Sequence, residues 1–255
     1  MKFKYFVLGS LFFAFLGVLL VMALHSSALI PARVPARVVS YANGGIHDVN
    51  QADLGVTVEK LGYPHVKYNP SMISDFIKQH PKHFEQKRGA GYWFWKPYII
   101  LKELERMRDD EVLVYIDSGS YLLSRVDSLL KQYPDAQLIT FEGQNPEWLH
   151  RRYTKRDLSL HLDADTPDIL NKTQVEANFI IARKGAIPIM KDWIAAGSDL
   201  HMIDDTPSNA PNALDFREHR HDQSILHILA WKKHKDKILV LPDKSKLVHH
   251  HRRRA

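Results

Sequence analysis

The sequence predicts an α/β fold in which a mostly parallel sheet is flanked by helices and preceded by one transmembrane helix. Two observations indicate the sheet: short apolar segments alternate with segments of helical period, and one of them, residues 112–116, ends in the carboxylate of Asp117. A third indicates the membrane span. Residues 6–24 are apolar and uncharged, and at about 1.5 Å per residue they nearly cross a hydrocarbon core of about 30 Å.

The N-terminal part, residues 1–28, is interpreted as a short cytosolic end followed by an uncleaved signal-anchor. Residues 29–36, with two prolines, are interpreted as a stem. The apolar segment is longer than the roughly 7–15 residues of a signal-peptide core, although residues 26–28 offer an alternative cleavage site. Long domains cross membranes largely regardless of charge, so we expect a single-pass protein whose main domain is exported.

Composition limits the classes of function. Without its apolar start the chain keeps about 215 residues, enough for one domain with a substantial core. The formal net charge is +6, and much of the excess lies in residues 232–237 and 252–254. A basic balance suits nucleic acid, anionic membrane or anionic substrate, but no nucleic-acid-binding motif accompanies it, so nucleic acid is not an expected partner. The chain has no cysteine, which excludes disulfides, zinc–thiolate sites and thiol catalysis.

The first predicted strand, residues 37–42, runs into the small polar turn of residues 43–45. A nucleotide commonly lies at such a turn in an α/β sheet. The candidate contacts to a base or ribose are Ser40, Tyr41 and Ala42, and an ordinary role as strand residues is equally compatible with the sequence. Further predicted elements are helices at 51–61, 70–79, 126–133 and 187–196 and strands at 65–68, 137–141, 179–182 and 237–241.

Residues 88–97 read R-G-A-G-Y-W-F-W-K-P, a glycine-broken loop with a cation at each end. Arg88, through its planar fork, and Lys96, as a point charge, are candidates to neutralise a diphosphate. Pro97 suits the first turn of the helix that follows. The aromatic side chains either stack on a base or sugar face or pack in the core, and both interpretations stay open for Tyr92, Trp93 and Trp95.

Asp117 follows the buried strand of residues 112–116 and precedes Ser118 and Gly119. A carboxylate at the carboxyl end of a central strand lies where open α/β sheets bind ligands, and Gly119 permits a sharp turn and a close approach. Asp117 is therefore a candidate ligand of a metal ion or a candidate contact to the ribose of a bound nucleotide, with Ser118 and Gly119 beside it. The alternative is a strand-end carboxylate that caps a local turn.

Together these segments resemble a block found in small glycosyltransferases of the GT-A type, in which R-G-x-G-Y-W-x-W-K-P precedes a strand ending in D-x-G. The segment His221-Asp222-Gln223-Ser224 and a late His-His-Arg add to the resemblance. It implies a GT-A-like, Rossmann-related fold and a nucleotide-diphospho-sugar donor. It also implies sugar transfer to a hydroxyl of a glycan, lipid or protein, usually with Mn²⁺ or Mg²⁺. Position 119 is Gly, where the common D-x-D motif has Asp.

Two carboxylates are candidate catalytic residues. Glu176, with Asn178, lies at the start of the strand predicted at 179–182, a region beside the sugar in the resembling enzymes, although polar residues at a strand entrance are equally ordinary. Asp222 opens a predicted helix, where the dipole favours a carboxylate for structural reasons. Its functional interpretation is a general base if stereochemistry inverts, or a stabiliser of positive charge if it is retained. Residues assigned to the acceptor or sugar are Trp93, Asn178, His221 and Gln223.

The C-terminal residues 247–255 form a basic His/Arg tail. The resemblance implies that a late histidine, His249 or His250, joins Asp117 in a metal site, and the alternative is a disordered end.

The resulting hypothesis is a membrane-anchored glycosyltransferase whose catalytic domain spans residues 37–246. The N-terminus would be cytosolic, with the domain in the Golgi or secretory lumen of a eukaryote or on the periplasmic side of a bacterium. The first alternative is a nucleotide- or carbohydrate-binding protein of the same fold that has lost transfer. The second is a membrane-tethered scaffold whose arginines at 252–254 bind anionic lipid.

Overall fold

A six-stranded sheet forms the centre of the protein, and its strand order places residues from both halves of the chain side by side. The computed structural model describes residues 33–251. The sheet contains β1 (Ala36–Tyr41), β2 (His65–Tyr68), β3 (Val112–Ile116), β5 (Leu138–Glu142), β6 (Val175–Ala182) and β7 (Ile238–Leu241), while β4 (Ser120–Leu122) and β8 (Val248–His250) pair separately.

The strand order in the sheet is β2-β1-β3-β6-β5-β7. The pairs β1–β2, β1–β3 and β5–β7 are parallel, whereas β6 runs antiparallel to β3 and β5. The mostly parallel sheet predicted from the sequence is therefore confirmed, with one reversed strand. β3 lies between β1 and β6 and is buried along its whole length, so Asp117 does follow a central strand.

Helices cover both faces of the sheet. The longer ones are α1 (Ile46–Lys60), α2 (Ser74–Gln79), α3 (Trp95–Arg106), α4 (Asp127–Gln132), α5 (Arg156–His161), α6 (Ile187–Gly197) and α7 (His221–Ile228). Single turns lie at Pro70–Ile73, Pro81–Phe84, Gly89–Tyr92, His150–Arg152, Pro167–Leu170, Lys184–Ala186, Leu200–Ile203 and Leu229–Lys233.

The alternation of side chains along β3 divides the core into two apolar layers. Leu113 and Tyr115 pack into one layer, together with residues of α3, α6 and α7. Val114 and Ile116 pack into the other, with residues of α1 and α4. Because both faces of the sheet are buried, the strands read as continuous apolar segments, which is typical of sheets covered by helices.

Several predicted boundaries differ from the observed ones. α1 begins at Ile46, five residues before the predicted start at 51, because Gly44 and Gly45 take positive φ and reverse the chain immediately before it. β6 begins at Val175 rather than at 179, so Glu176 and Asn178 lie inside the strand rather than at its entrance. The reason is tertiary: the early part of β6 pairs with β5.

The C-terminal segment forms a strand rather than a simple tail. β8 pairs antiparallel with β4, the strand that directly follows the turn at Asp117. The amide of His251 donates to the carbonyl of Gly119 at 2.9 Å. Residues 252–255 lie outside the described residues, as does the membrane span predicted at residues 6–24. Within residues 33–251, the structure contains no helix with the length and apolar character needed to cross a membrane.

Candidate functional site

Two cavities open beside the carboxyl ends of β1 and β3, and the side chains of Trp93 and Asp117 belong to both. The first, here called the aromatic cavity, has a volume of about 450 Å³. It is lined by Tyr41, Asn43, Lys87, Trp95, Tyr115 and Ser118, among others. The second, the polar cavity, has a volume of about 460 Å³. It is lined by Lys96, Trp148, Glu176, Asn178, Arg220 and Asp222, among others.

The glycine-rich loop places Trp93 between the cavities by winding in the left-handed sense. Five consecutive residues, 89–93, have φ between 51° and 97°. The amides of Tyr92 and Trp93 donate to the carbonyls of Arg88 and Gly89, four residues earlier, at 2.8 and 3.2 Å. A left-handed conformation costs about 1–2 kcal/mol for each non-glycine residue. Strain of this kind clusters at functional sites, because the surrounding structure must hold it in place.

Trp95 both packs and lines a cavity, so neither interpretation of its ring excludes the other. Its indole N–H donates to the carbonyl of Gly89 at 2.9 Å, which ties the start of α3 to the left-handed turn. Its ring stacks on Tyr41 with centroids 4.0 Å apart, and both rings line the aromatic cavity. Burial raises the pKa of Tyr41 to about 12, so its phenol stays protonated at neutral pH.

Of the three candidates at the end of β1, namely Ser40, Tyr41 and Ala42, Tyr41 lies in the wall of the aromatic cavity. Ser40 is fully buried, and its hydroxyl oxygen lies 2.8 Å from Nε2 of His65 and accepts a hydrogen bond from the amide of Gln51 at 3.1 Å. Ala42 is also buried, and its amide donates to the carbonyl of Tyr68. The structure thus gives these two residues packing and hydrogen-bonding positions within the sheet.

Lys96 joins the two carboxylates that the sequence singled out. Its ammonium lies 2.7 Å from Oδ2 of Asp222 and 3.7 Å from Oδ1 of Asp117. The hydroxyl of Tyr115 also donates to Oδ1 of Asp117, at 2.6 Å. Burial raises the pKa of Asp222 to about 6, against the opposing effect of Lys96. Asp222 is therefore mostly ionised at neutral pH and close to the range in which it accepts a proton.

A second buried lysine, Lys244, was not identified from the sequence. Its ammonium contacts the carboxylate of Glu176 and donates to Oδ1 of Asn178, two residues further along β6. Burial lowers the pKa of Lys244 to about 7, and the charge of Asp117 raises it. Lys244 lies between β7 and β8 in a segment without a recognisable motif, and only the folded chain brings it to the site.

Arg88 and Asp117 both line the polar cavity, but in different surroundings. The guanidinium of Arg88 is exposed at the rim, 3.0 Å from Asp205 and 3.5 Å from Glu218. Lys96, by contrast, is buried at the junction of the cavities. The sequence predicted that Arg88 and Lys96 act as a pair. In the structure Arg88 lies at the rim of the polar cavity, whereas Lys96 lies in the interior.

His221 lies behind Trp93 and is conformationally strained, with a φ of 49°. Its Nδ1 donates to the carbonyl of Ile203 at 2.7 Å, and burial lowers its pKa, so the ring is neutral at pH 7. Its ring stacks on Tyr92 and Trp93, with centroids 4.8 and 5.5 Å apart. Tyr92 is thereby a support for Trp93, while Gln223 lines the polar cavity and donates to Gln174 at 3.0 Å.

Asp117 and His250, two of the three predicted metal ligands, line the same polar cavity. The Nδ1 of His250 lies 2.9 Å from the hydroxyl of Ser120, whereas His249, the preceding residue of β8, lines neither cavity. Successive residues of a strand point to opposite sides, so of the two histidines only His250 borders the cavity that Asp117 lines. Across residues 33–251, no three His, Asp or Glu side chains are grouped so that they could hold a metal ion. The carboxylates present contact ammonium groups instead, so this donor set does not fit a divalent cation.

The structure is similar to solved glycosyltransferase structures at low sequence identity. A glycosyltransferase involved in glycosylation of the major capsid of PBCV-1 is 13% identical, with 82% of each chain covered and a TM-score of 0.46. Mouse xyloside xylosyltransferase 1 is 11% identical, with 82% of this chain and 85% of that chain covered and a TM-score of 0.47. The galactosyltransferase LgtC, in complex with donor and acceptor sugar analogs, is 11% identical, covers 80% and 72%, and has a TM-score of 0.44. No family model matches the sequence, and no curated protein is significantly similar to it.

Proposed function

We propose that this protein is a GT-A-type glycosyltransferase that moves a hexose or related sugar from a nucleotide-diphosphate donor to an acceptor hydroxyl. The observation that carries the proposal is that the Asp117 carboxylate borders both cavities, one aromatic and one rich in charged groups. A nucleotide sugar has the same division, with a flat base at one end and a sugar at the other. In this proposal the diphosphate crosses the junction beside Asp117 and Lys96.

The aromatic cavity suits the nucleoside. Its volume lies within the range of about 300–1,000 Å³ that is usual for small-ligand sites. The rings of Tyr41, Trp93 and Trp95 line this cavity, and Trp93, the least buried of the three, offers a stacking surface to a base. Asn43 and Ser118 offer hydrogen bonds to a base or ribose. Lys87, also in the wall of this cavity, offers a positive charge to the phosphates.

The polar cavity suits the sugar and the acceptor. In the transfer, the bond between the anomeric carbon and the diphosphate oxygen breaks, and its electron pair leaves with the nucleoside diphosphate. The acceptor oxygen forms the new bond and loses its proton. Asp222 takes that proton if the reaction inverts the anomeric centre. If configuration is retained, the departing diphosphate oxygen takes the proton and Asp222 stabilises positive charge on the anomeric carbon. Lys96, 2.7 Å from Asp222, stabilises the departing negative charge.

The remaining polar side chains suit the recognition of hydroxyl groups. Glu176 and Asn178 face the polar cavity from β6, and His221 and Gln223 from the start of α7. Trp148 and Arg220 also line the cavity, and the guanidinium lies 4.8 Å above the indole ring. These groups support an acceptor that is itself a sugar, whether free or on a lipid or protein. Anchoring through residues 6–24, with the catalytic domain exported, remains part of the proposal.

The test is a panel of nucleotide sugars, with hydrolysis and thermal stabilisation both measured. We expect one of them to raise the Tm and to be hydrolysed slowly, and Asp117→Asn to reduce hydrolysis by about 100-fold or more. Asp110→Asn, at an exposed carboxylate that lines neither cavity, is the matched control and should leave both unchanged.

Two results would change the assignment. Stabilisation without hydrolysis of any nucleotide sugar, and without transfer to added sugars, would identify a nucleotide-binding protein instead. A panel that neither stabilises the protein nor is hydrolysed would contradict the proposed function altogether.

A further inference from the structure

Three carboxylates of the polar cavity, Asp117, Asp222 and Glu176, lie beside two buried lysine side chains. Lys96 lies 2.7 Å from Asp222 and 3.7 Å from Asp117. Lys244 contacts Glu176, whose strand also supplies Asn178. The side chains of both lysines are at least 96% buried. Salt screens buried charges far less than exposed ones, so these pairs persist at physiological ionic strength.

A divalent cation would meet poor conditions at this place. Mn²⁺ and Mg²⁺ need several oxygen ligands, carboxylates above all. Here Asp117 has Gly119 where the related motif carries a second acid, so one carboxylate is absent. To reach Asp117 an ion would also have to approach the buried ammonium of Lys96. Displacing Lys96 would leave a buried charge without its partner, which is strongly destabilising.

We infer that Lys96 and Lys244 take the part of a divalent cation in this site, so that the donor diphosphate binds without metal. This assignment rests on the proposed function. It adds Lys244 to the site and predicts that donor binding needs no metal cofactor. Lys96 stabilises the leaving diphosphate directly, because it lies at the junction and an ammonium offers three N–H donors besides its charge. Lys244 is a positioning residue: it orients Asn178, and in its charged form it offsets the negative charge of Glu176, so that an anionic donor can approach β6.

The first experiment uses the unmodified protein and known probes. UDP, GDP, ADP, CDP and TDP are titrated calorimetrically, once with EDTA and once with MnCl₂. We expect the nucleotide that binds to show the same Kd in both conditions, within about twofold. A Kd tighter by about tenfold or more in Mn²⁺ would overturn the inference and leave the proposed function intact. If no nucleoside diphosphate binds in either condition, the proposed function fails and this inference with it.

The second experiment separates the role of Lys244 from a general loss of structure. In EDTA, Lys244→Met should weaken nucleotide binding by about tenfold, because Glu176 is left with an uncompensated charge near the phosphates. Mn²⁺ should then restore part of the affinity, since the freed carboxylate can bind it. A purely structural defect would weaken binding equally with and without Mn²⁺, and that result would remove Lys244 from the inference.

Two further variants complete the comparison. Lys246→Met, at an exposed lysine two residues along the same segment, should bind as the unmodified protein does. If Lys244→Met does not fold, the double variant Lys244→Met with Glu176→Gln removes both charges together, which is far less costly than removing one. That double variant is expected to bind without metal. If it requires Mn²⁺ instead, Lys244 contributes more than the compensation of the Glu176 charge, and the positioning role falls.

Discussion

At the scale of single residues, the pKa of Asp222 is raised even though its nearest neighbour, Lys96, favours the ionised carboxylate. A carboxylate at a helix N-terminus with a lysine 2.7 Å away is normally held in its ionised form. Yet burial raises the pKa of Asp222 to about 6, because it is almost completely removed from solvent and the Asp117 carboxylate lies nearby. A carboxylate poised near neutral pH inside a cavity is a candidate for proton transfer.

The prediction for this residue is a pH profile. If Asp222 accepts the acceptor's proton, kcat/KM should rise about tenfold per pH unit up to about pH 6, because only the ionised carboxylate is a base. Asp222→Asn should lower the rate and abolish that rising limb. The charged groups that face Asp222 are Lys96 and Asp117. The measurement is the rate of nucleotide-sugar turnover from about pH 5 to about pH 8.

Asp205→Asn is the control for that profile, because Asp205 is an exposed carboxylate at the rim, paired with Arg88. It should keep the rising limb of the unmodified protein. A rising limb that survives in Asp222→Asn would assign the proton acceptor to another group and leave Asp222 with a purely electrostatic role.

At the scale of elements, the left-handed turn of residues 89–93 explains why the loop carries two glycines. Both Gly89 and Gly91 have positive φ, but only Gly89 approaches Trp93: a Cβ at Gly89 would lie 2.4 Å from the Trp93 ring. The turn therefore needs glycine at position 89 for backbone conformation and for space alike. The non-glycine residues of the turn tolerate their strain because Tyr92 and Trp93 stack on His221.

Gly89→Ala tests that account. The added methyl group would overlap Trp93, so the ring must move out of the wall that both cavities share. We expect the free energy of unfolding to fall by about 1–3 kcal/mol, with a loss of about 3–10 °C in Tm, and nucleotide binding to weaken by about tenfold or more. Thermal unfolding and calorimetric titration measure both effects.

Gly45→Ala is the matched control for this substitution. Gly45 has a φ of 60°, close to the 58° of Gly89, but a Cβ added at Gly45 would meet no other atom within 4 Å. It should lose stability through backbone strain while Trp93 stays in place and nucleotide binding is kept. Equal losses of binding in the two variants would show that backbone strain alone weakens binding, and the position of Trp93 would then have no demonstrated role.

At the scale of the whole molecule, the sequence predicts what depends on local patterns. The apolar period predicted β3 and α3, and the glycine-broken aromatic segment predicted a loop at the site. The pairing of Lys96 with Asp222 was not predicted, because the two residues are far apart in the chain and meet only when α3 and α7 pack. Lys244 was missed for the same reason, since its partner Glu176 lies on β6. Long-range pairings of this kind leave no periodic signal in a single sequence.

The final segment of the chain shows how such a pairing completes the site. Val248 is buried in the apolar layer that contains Leu122, and the main chain of His251 bonds to that of Gly119. β8 thereby fixes the turn that follows Asp117, and it limits the freedom of the segment that carries Lys244. The end of the described chain is thus a structural part of the candidate site, in contrast to the disordered basic end that was one interpretation of the sequence.

Two truncations test this role of β8. Removal of residues 248–255 eliminates the pairing with β4 and exposes the apolar surface that Val248 covers, which is worth about 1.5–3 kcal/mol. We expect a fall in Tm of about 5–10 °C and loss of nucleotide binding. Removal of residues 252–255 alone keeps β8, and it should change the Tm by no more than about 1 °C and the nucleotide affinity by no more than about twofold.

If the longer truncation binds nucleotide as well as the full chain, β8 does not shape the Asp117 turn. If the shorter one loses binding, the arginines at 252–254 contribute to the site directly.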